Sequence, residues 1–121
     1  MKIRRIAGQF TVCKLDNSSD MDFSGEFCFA GKTDEEISFV CETERVPENT
    51  IEREDGWRAF RIEGVLDFSL IGILAKIAGL LADSGISIFA VSTYNTDYIM
   101  IKEEKWEKAL GVLEKAGYEV S

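Results

Sequence analysis

The sequence predicts an α+β fold with a reduced, strand-rich first half (residues 1–56) and a complete β-α-β-β-α-β second half (57–121). Two observations predict it. After residue 57 the apolar spacing switches between period two and the helical period in that order. Before residue 57 it alternates at period two, and there is space for no more than one helical turn. The chain has 121 residues, 45% hydrophobic and 30% charged, with one proline. That is the size of one domain or of two small halves sharing a core, and the composition of a globular protein.

Residues 57–63 (Trp-Arg-Ala-Phe-Arg-Ile-Glu) put Phe60 and Ile62 on one side and Ala59, Arg61 and Glu63 on the other, the pattern of a half-buried strand ended by Gly64. From 70 to 83, Leu70, Ile73, Leu74, Ile77, Leu80 and Leu81 recur at helical spacing. The opposite face carries Gly72, Ala75, Gly79 and Ala82, with Lys76 and Asp83 its only charges. A mid-helix glycine costs roughly 1 kcal/mol against alanine. This small face is therefore either a place where another backbone approaches or a neutral surface. Gly85 suits the C′ position that ends the helix. Residues 86–93 form a nearly continuous apolar strand, expected to be central in a sheet. Tyr94, Asn95, Thr96 and Asp97 supply turn chemistry, and 98–101 return as a second strand. Residues 103–116 form a helix with Trp106, Ala109, Leu110 and Leu113 as its buried stripe and Glu104–Lys108 as an i,i+4 pair. Gly117 caps it, and 118–120 close the order as a short strand. This is the ferredoxin-like split βαβ plan.

In the first half, residues 10–15, 26–30 and 37–41 alternate as strands. Residues 33–36 have capping-box spacing for a single turn, 16–25 is turn-rich, and the charged run 52–55 reads as a solvated loop.

The net charge is −8, with thirteen of the twenty-two acidic groups in residues 1–56. Such a balance argues against nucleic acid and anionic membrane as partners, since both are bound by neutralising phosphate. The longest apolar stretch, 70–82, is broken by Lys76 and too short to span a bilayer, and the N-terminus lacks the apolar core of a secretory signal. Cys13, Cys28 and Cys41 are odd in number and lack C-x-x-C spacing, which favours buried free thiols in a reducing, cytoplasmic setting. Without a histidine, His-dependent triads and His-based metal sites are excluded. No nucleophile–base pair, phosphate-cradling glycine loop or metal-ligand cluster stands out, so neither catalytic residues nor a cofactor are expected.

Residues 63–101, with the phrases Leu-Asp-Phe-Ser at 66–69, Gly-Ile-Ser-Ile at 85–88 and Ser-Thr-Tyr-Asn-Thr-Asp-Tyr at 92–98, resemble the ACT domain. The likeness is greatest to the short tandem-ACT branch related to the CASTOR arginine sensors. It extends more weakly through 10–15, 46–47 and 56–58, which makes 1–56 a degenerate ACT-like half and 57–121 the ACT domain proper. The resemblance implies non-catalytic regulation by a small ligand, usually an amino acid, held at a domain or subunit interface near the first strand–helix loop. Carried over by position, that loop is Asp67, Phe68, Ser69, Leu70, Ile71 and Gly72, faced by Ser92, Thr93, Tyr94, Asn95, Thr96 and Asp97.

The chemistry of a free amino acid fits this placement. Its carboxylate suits the N–H groups at the start of the 70–83 helix, around Ile71 and Gly72, and its cationic group suits a carboxylate at Asp97 or Asp67. Competing readings stay open. Asp67 or Ser69 also suits the N-cap, Asp97 an ordinary turn, Phe68 a hydrophobic staple and Tyr94 a core position. The small-residue helix face, unpaired sheet edges and the pairing habit of ACT domains predict a homodimer. A pure oligomerisation or protein-interaction module is the alternative function.

Overall fold

The computed structural model describes residues 1–64 and 71–121. Its elements in chain order are β1 (Lys2–Leu15), β2 (Cys28–Lys32), β3 (Ile37–Glu42), β4 (Thr50–Ile62), α1 (Ile73–Asp83), β5 (Phe89–Ser92), β6 (Asp97–Lys102), α2 (Glu103–Lys115) and β7 (Glu119–Val120). Two compact units result: Met1–Ala7 with Arg58–Ser121, and Gly8–Trp57. The first seven residues thus join the unit that the sequence reading starts at 57. The reason is pairing. Lys2 and Ile3 lie parallel to Glu119 and Val120, and the Glu63 N–H donates to the Lys2 carbonyl at 2.9 Å. Strands β1 and β4 each pass from one unit to the other, and Gly8 (φ 94°) and Gly56 (φ 84°) stand beside those crossings. Both have the left-handed backbone that side-chain-bearing residues avoid and that interrupts a regular ladder.

In the unit built on Arg58–Ser121, β4-α1-β5-β6-α2-β7 follow in the expected order, with strand neighbours β7-β1-β4-β6-β5. Two details differ from the sequence reading. The closing strand pairs with β1, which stands between it and β4. The 86–93 segment is an edge strand of four residues, not a central one. Its first residues are committed elsewhere. The Ile86 N–H donates to Leu81 O and the Gly85 N–H to Ala82 O, both at 2.9 Å, closing α1 in a Schellman motif. Ile86 and Ile88 then pack into the core, which explains the apolar run without a central position. Tyr118 and Gly117 close α2 on Leu113 and Glu114 in the same way.

One core cluster unites both helices with the strands beneath them: Ile77 and Leu81 of α1, Trp106, Ala109, Leu110 and Leu113 of α2, Phe60 and Ile62 of β4, and Ile99 and Ile101 of β6. The α2 stripe is the one the periodicity predicts. Lys108, however, donates from Nζ to Ser84 O at 2.9 Å, placing its charge at the negative end of α1. Helix α1 begins at Ile73, with Gly72 as a left-handed N-cap (φ 82°); the N-cap readings of Asp67 and Ser69 fall on residues outside the described ones.

The unit Gly8–Trp57 contains no α-helix; its strands neighbour one another in the order β2-β3-β1-β4. Loops cover the face that helices would otherwise cover. Met21 and Val46 pack against Cys13, Leu15, Phe39 and Cys41, and the Phe23 ring meets Phe39 edge-on at 5.4 Å. Arg45 ties these loops together, donating to Ser24 Oγ at 2.8 Å and pairing with Asp22 and Glu42. Residues 33–36 form the hairpin turn between β2 and β3, with Thr33 Oγ1 accepting from the N–H groups of Glu35 and Glu36. Strand β2 accordingly lies two residues nearer the turn than the alternation at 26–30 suggests. The 52–55 run is part of β4, not a loop. There β4 is an edge strand, where charge is tolerated, and Asp55 accepts a 2.7 Å bond from the buried Thr11 hydroxyl.

All three thiols are free, Cys13 and Cys41 buried and Cys28 half-buried. Burial pushes the Cys41 thiol up to about 12, and Cys13, Cys28 and Glu42 beside it add to the shift while Arg53 opposes it. A folded-state value raised in this way stabilises the fold fully below the ordinary thiol value of 9.0, and the contribution is lost as pH climbs toward 12. Urea midpoints should therefore fall across that alkaline window, and less steeply in a Cys41→Ala variant. Parallel profiles would show that the thiol does not carry the effect.

Candidate functional site

The site residues predicted from sequence belong to the unit that holds both α-helices. Asp67, Phe68, Ser69 and Leu70 lie outside the described residues. Ile71 and Gly72 line a cavity of about 310 Å³ with Met1, Ile73, Lys76, Ala116, Gly117 and Tyr118. The start of β1, the start of α1 and the end of α2 converge there. Gly72 O accepts the first intrahelical bond from the Lys76 N–H at 2.9 Å, so Ile73, Leu74 and Ala75 hold the N–H groups without intrahelical partners. Those donors sit two to three residues later than the sequence predicts. Ile71 is 90% exposed at the rim.

The 92–97 segment is a tight hairpin. The Thr93 N–H donates to Thr96 O at 2.9 Å, and Thr93 Oγ1 donates to the same carbonyl at 3.0 Å. Thr96 is buried, and its Oγ1 donates to Ile62 O at 2.7 Å, fastening the hairpin to the end of β4. Ser92 Oγ donates to Asp97 Oδ1 at 2.6 Å across the β5–β6 pair, which orients that carboxylate. Tyr94 is 79% exposed, which excludes the core position.

Asn95 and Thr96 line a second cavity of about 230 Å³ with Arg61, Glu63, Gly64 and Tyr98. Arg61 donates to the Tyr98 hydroxyl at 3.3 Å and to Glu63 at 3.4 Å. The Tyr98 contact, with Glu63 behind it, pushes the guanidinium further up, so it is a fixed cation in this cavity. Among the described residues, then, Gly72 with Ile71, and Asn95 with Thr96, line separate cavities; Ser92, Thr93, Tyr94 and Asp97 line neither.

Sequence reasoning missed Lys76, Arg61 and Tyr98 as cavity-lining residues. A signal existed for two of them. Lys76 is one of two charges on an otherwise small-residue helix face, and Arg61 alternates away from the core side of its strand. Among the described residues no group of three or more His, Cys, Asp or Glu is placed to hold a metal ion. No helix among them is long and apolar enough to cross a membrane.

Comparison with known proteins places this arrangement. The chain is 40% identical over 60 residues to the human cytosolic arginine sensor for mTORC1 subunit 1, a match covering 49% of this chain and 18% of that protein. It thus spans less than a fifth of the curated relatives it matches. A solved structure from Agobacterium tumefaciens superposes with a TM-score of 0.87 at 28% identity, covering 99% of this chain and 91% of that one. The ligand-free regulatory subunit of aspartate kinase from Thermus thermophilus shares the fold, with a TM-score of 0.67 at 14% identity and 97% of each chain covered. The ACT domain family model matches residues 52–115, more than half of the sequence. The chain belongs to the ACT domain family.

Proposed function

We propose that this chain is a non-catalytic regulatory module that binds a free amino acid where the 67–72 loop precedes α1 and the 92–97 hairpin ends β5. The observation that carries the reading is the family match over 52–115, which spans every candidate site residue. The relation to a protein named as an arginine sensor, over 60 residues, supports an amino acid as the ligand class. In this reading the carboxylate is received at the first turn of α1, with Lys76 beside it, and the cationic group is held by Asp97, with Asp67 as a second acceptor. The module acts in the cytoplasm as a homodimer.

The test is the melting temperature of the protein against each free amino acid. A ligand at about a hundred times its dissociation constant adds about 2.7 kcal/mol, a rise of several degrees for a chain of this size. No response to any amino acid would leave the alternative, an oligomerisation or interaction module, as the better account.

That alternative rests on the α1 surface. Ala75, Gly79 and Ala82 are exposed, and a Cβ built on Gly79 meets nothing within 4 Å. No neighbour among the described residues requires this glycine. In an isolated chain Gly79→Ala should therefore stabilise by about 1 kcal/mol through helix propensity. If the face is the dimer contact, the same substitution should shift light scattering toward 13.6 kDa. Greater stability with unchanged mass would take this face out of the assembly.

A further inference from the structure

The three cysteines lie on three adjacent strands of the Gly8–Trp57 unit, on one face of its sheet. Cys28 of β2 stands directly opposite Cys41 of β3, while Cys13 of β1 stands opposite Phe39, one diagonal step from Cys41. The phase of the β2–β3 ladder is fixed at its turn, where the Thr33 N–H donates to Glu36 O at 2.9 Å. Hydrogen-bonded and non-hydrogen-bonded pairs alternate away from that closing pair. Counting back through Lys32–Ile37, Gly31–Ser38, Ala30–Phe39 and Phe29–Val40 makes Cys28–Cys41 a non-hydrogen-bonded pair. In such pairs the Cα atoms are about 4.5 Å apart and the side chains are at their closest, inside the separation a disulfide spans. Cys13 has no such register with either thiol.

We propose that Cys28 and Cys41 are a reversible dithiol–disulfide couple, oxidised by exchange with a low-molecular-weight disulfide. Cys28 is the entry point, because it is half-buried on the edge strand of this unit while Cys41 is fully buried. Its thiolate attacks one sulfur of the small disulfide, forming a mixed disulfide and releasing one small thiol. Cys41 then gives up its proton and attacks Cys28 Sγ, forming the Cys28–Cys41 bond and releasing the second small thiol. Two protein thiols are oxidised and one small disulfide is reduced to two thiols, so electrons and protons balance. Burial and the neighbouring Asp22 and Glu42 carboxylates push the Cys28 thiol up, with Arg45 opposing them, so the exchange is slow at neutral pH and quickens about tenfold per pH unit as thiolate forms. The product pins the edge strand β2 to β3.

The experiment incubates the folded chain with excess oxidised glutathione, quenches with acid, then unfolds and alkylates the remaining thiols. Cleavage after Lys14, Lys32 and Arg45 leaves the three cysteines on separate peptides. The expected result is loss of two of the three alkylatable thiols and a cross-linked peptide joining Cys28 to Cys41, with the same cross-link and loss of both remaining thiols in Cys13→Ser. A Cys41→Ser variant should stop at the glutathione adduct on Cys28. Three thiols still alkylated, a link that maps to Cys13, or a link that forms only in denaturant would each overturn the proposal.

Discussion

Phe60→Ala should remove about 3–5 kcal/mol of stability, a large share of the roughly 5–15 kcal/mol that holds a domain of this size. The side chain is 0% exposed and belongs to the cluster in which β4 and β6 meet α1 and α2. Its ring lies 6.1 Å from that of Trp106, which is covered in turn by the Arg58 guanidinium at 4.9 Å; Glu103 holds that guanidinium at 3.3 Å. Truncation would leave a void bounded by strands and by a helix that is itself anchored through Trp106, so the surroundings have little freedom to collapse. Phe60→Leu keeps most of the volume and should cost less than half as much. Urea denaturation followed by circular dichroism reads both. A loss below about 1 kcal/mol for the alanine variant would mean that this cluster does not hold the helices on the sheet.

The helices and their order were legible because buried faces leave a periodic trace. The α2 stripe of Trp106, Ala109, Leu110 and Leu113 is the buried face in the structure, and Phe60 and Ile62 lie in the core as their alternation predicts. What failed was inference about neighbours. The apolar run at 86–93 looks like a central strand, yet Ile86 and Ile88 are apolar because they pack under α1 and α2 after a Schellman turn. The β1–β7 pairing rests on main-chain bonds, the Glu119 N–H donating to Met1 O and the Ser121 N–H to Ile3 O, both at 3.0 Å; the first facing pair, Lys2 and Glu119, is charged and exposed, so no alternation announces it. The same holds for 52–55 of β4: an edge strand needs no apolar side to keep its ladder, and its charges read as loop.

The candidate site was legible only in part, for a different reason. The sequence places Gly72 on the small-residue helix face and, by resemblance, at the end of the candidate loop, and the structure gives it φ 82° at the head of α1. A Cβ there would meet nothing within 4 Å, so substitution strains the backbone and does not fill space. A binding defect at Gly72 would be hard to separate from a shifted helix start. Lys76 and Tyr118, by contrast, reach one cavity from elements more than forty residues apart in sequence, a convergence that spacing along one element does not show.

Asp97→Asn separates binding from folding better, and its expected effect is a ten- to hundredfold loss of amino-acid affinity. A charge-assisted contact to the ligand's cationic group is worth roughly 1.5–3 kcal/mol, which is that factor. The substitution removes the charge and keeps the shape. Ser92 Oγ, which donates to Asp97 Oδ1 at 2.6 Å, can donate to the amide carbonyl oxygen of the variant instead, so the β5–β6 hairpin keeps its cross-strand bond. The Thr96 bond to Ile62 O, which fastens the hairpin to β4, is untouched. The apo melting temperature should therefore move little while the ligand-induced rise shrinks. Calorimetric titration of both proteins with whichever amino acid stabilises the wild type measures the ratio directly. Equal affinities would take Asp97 out of the site and leave its bond to Ser92 as the whole of its role. A lowered apo melting temperature would mean instead that the carboxylate holds the hairpin in place, and the partner of the cationic group would then have to be sought at Asp67.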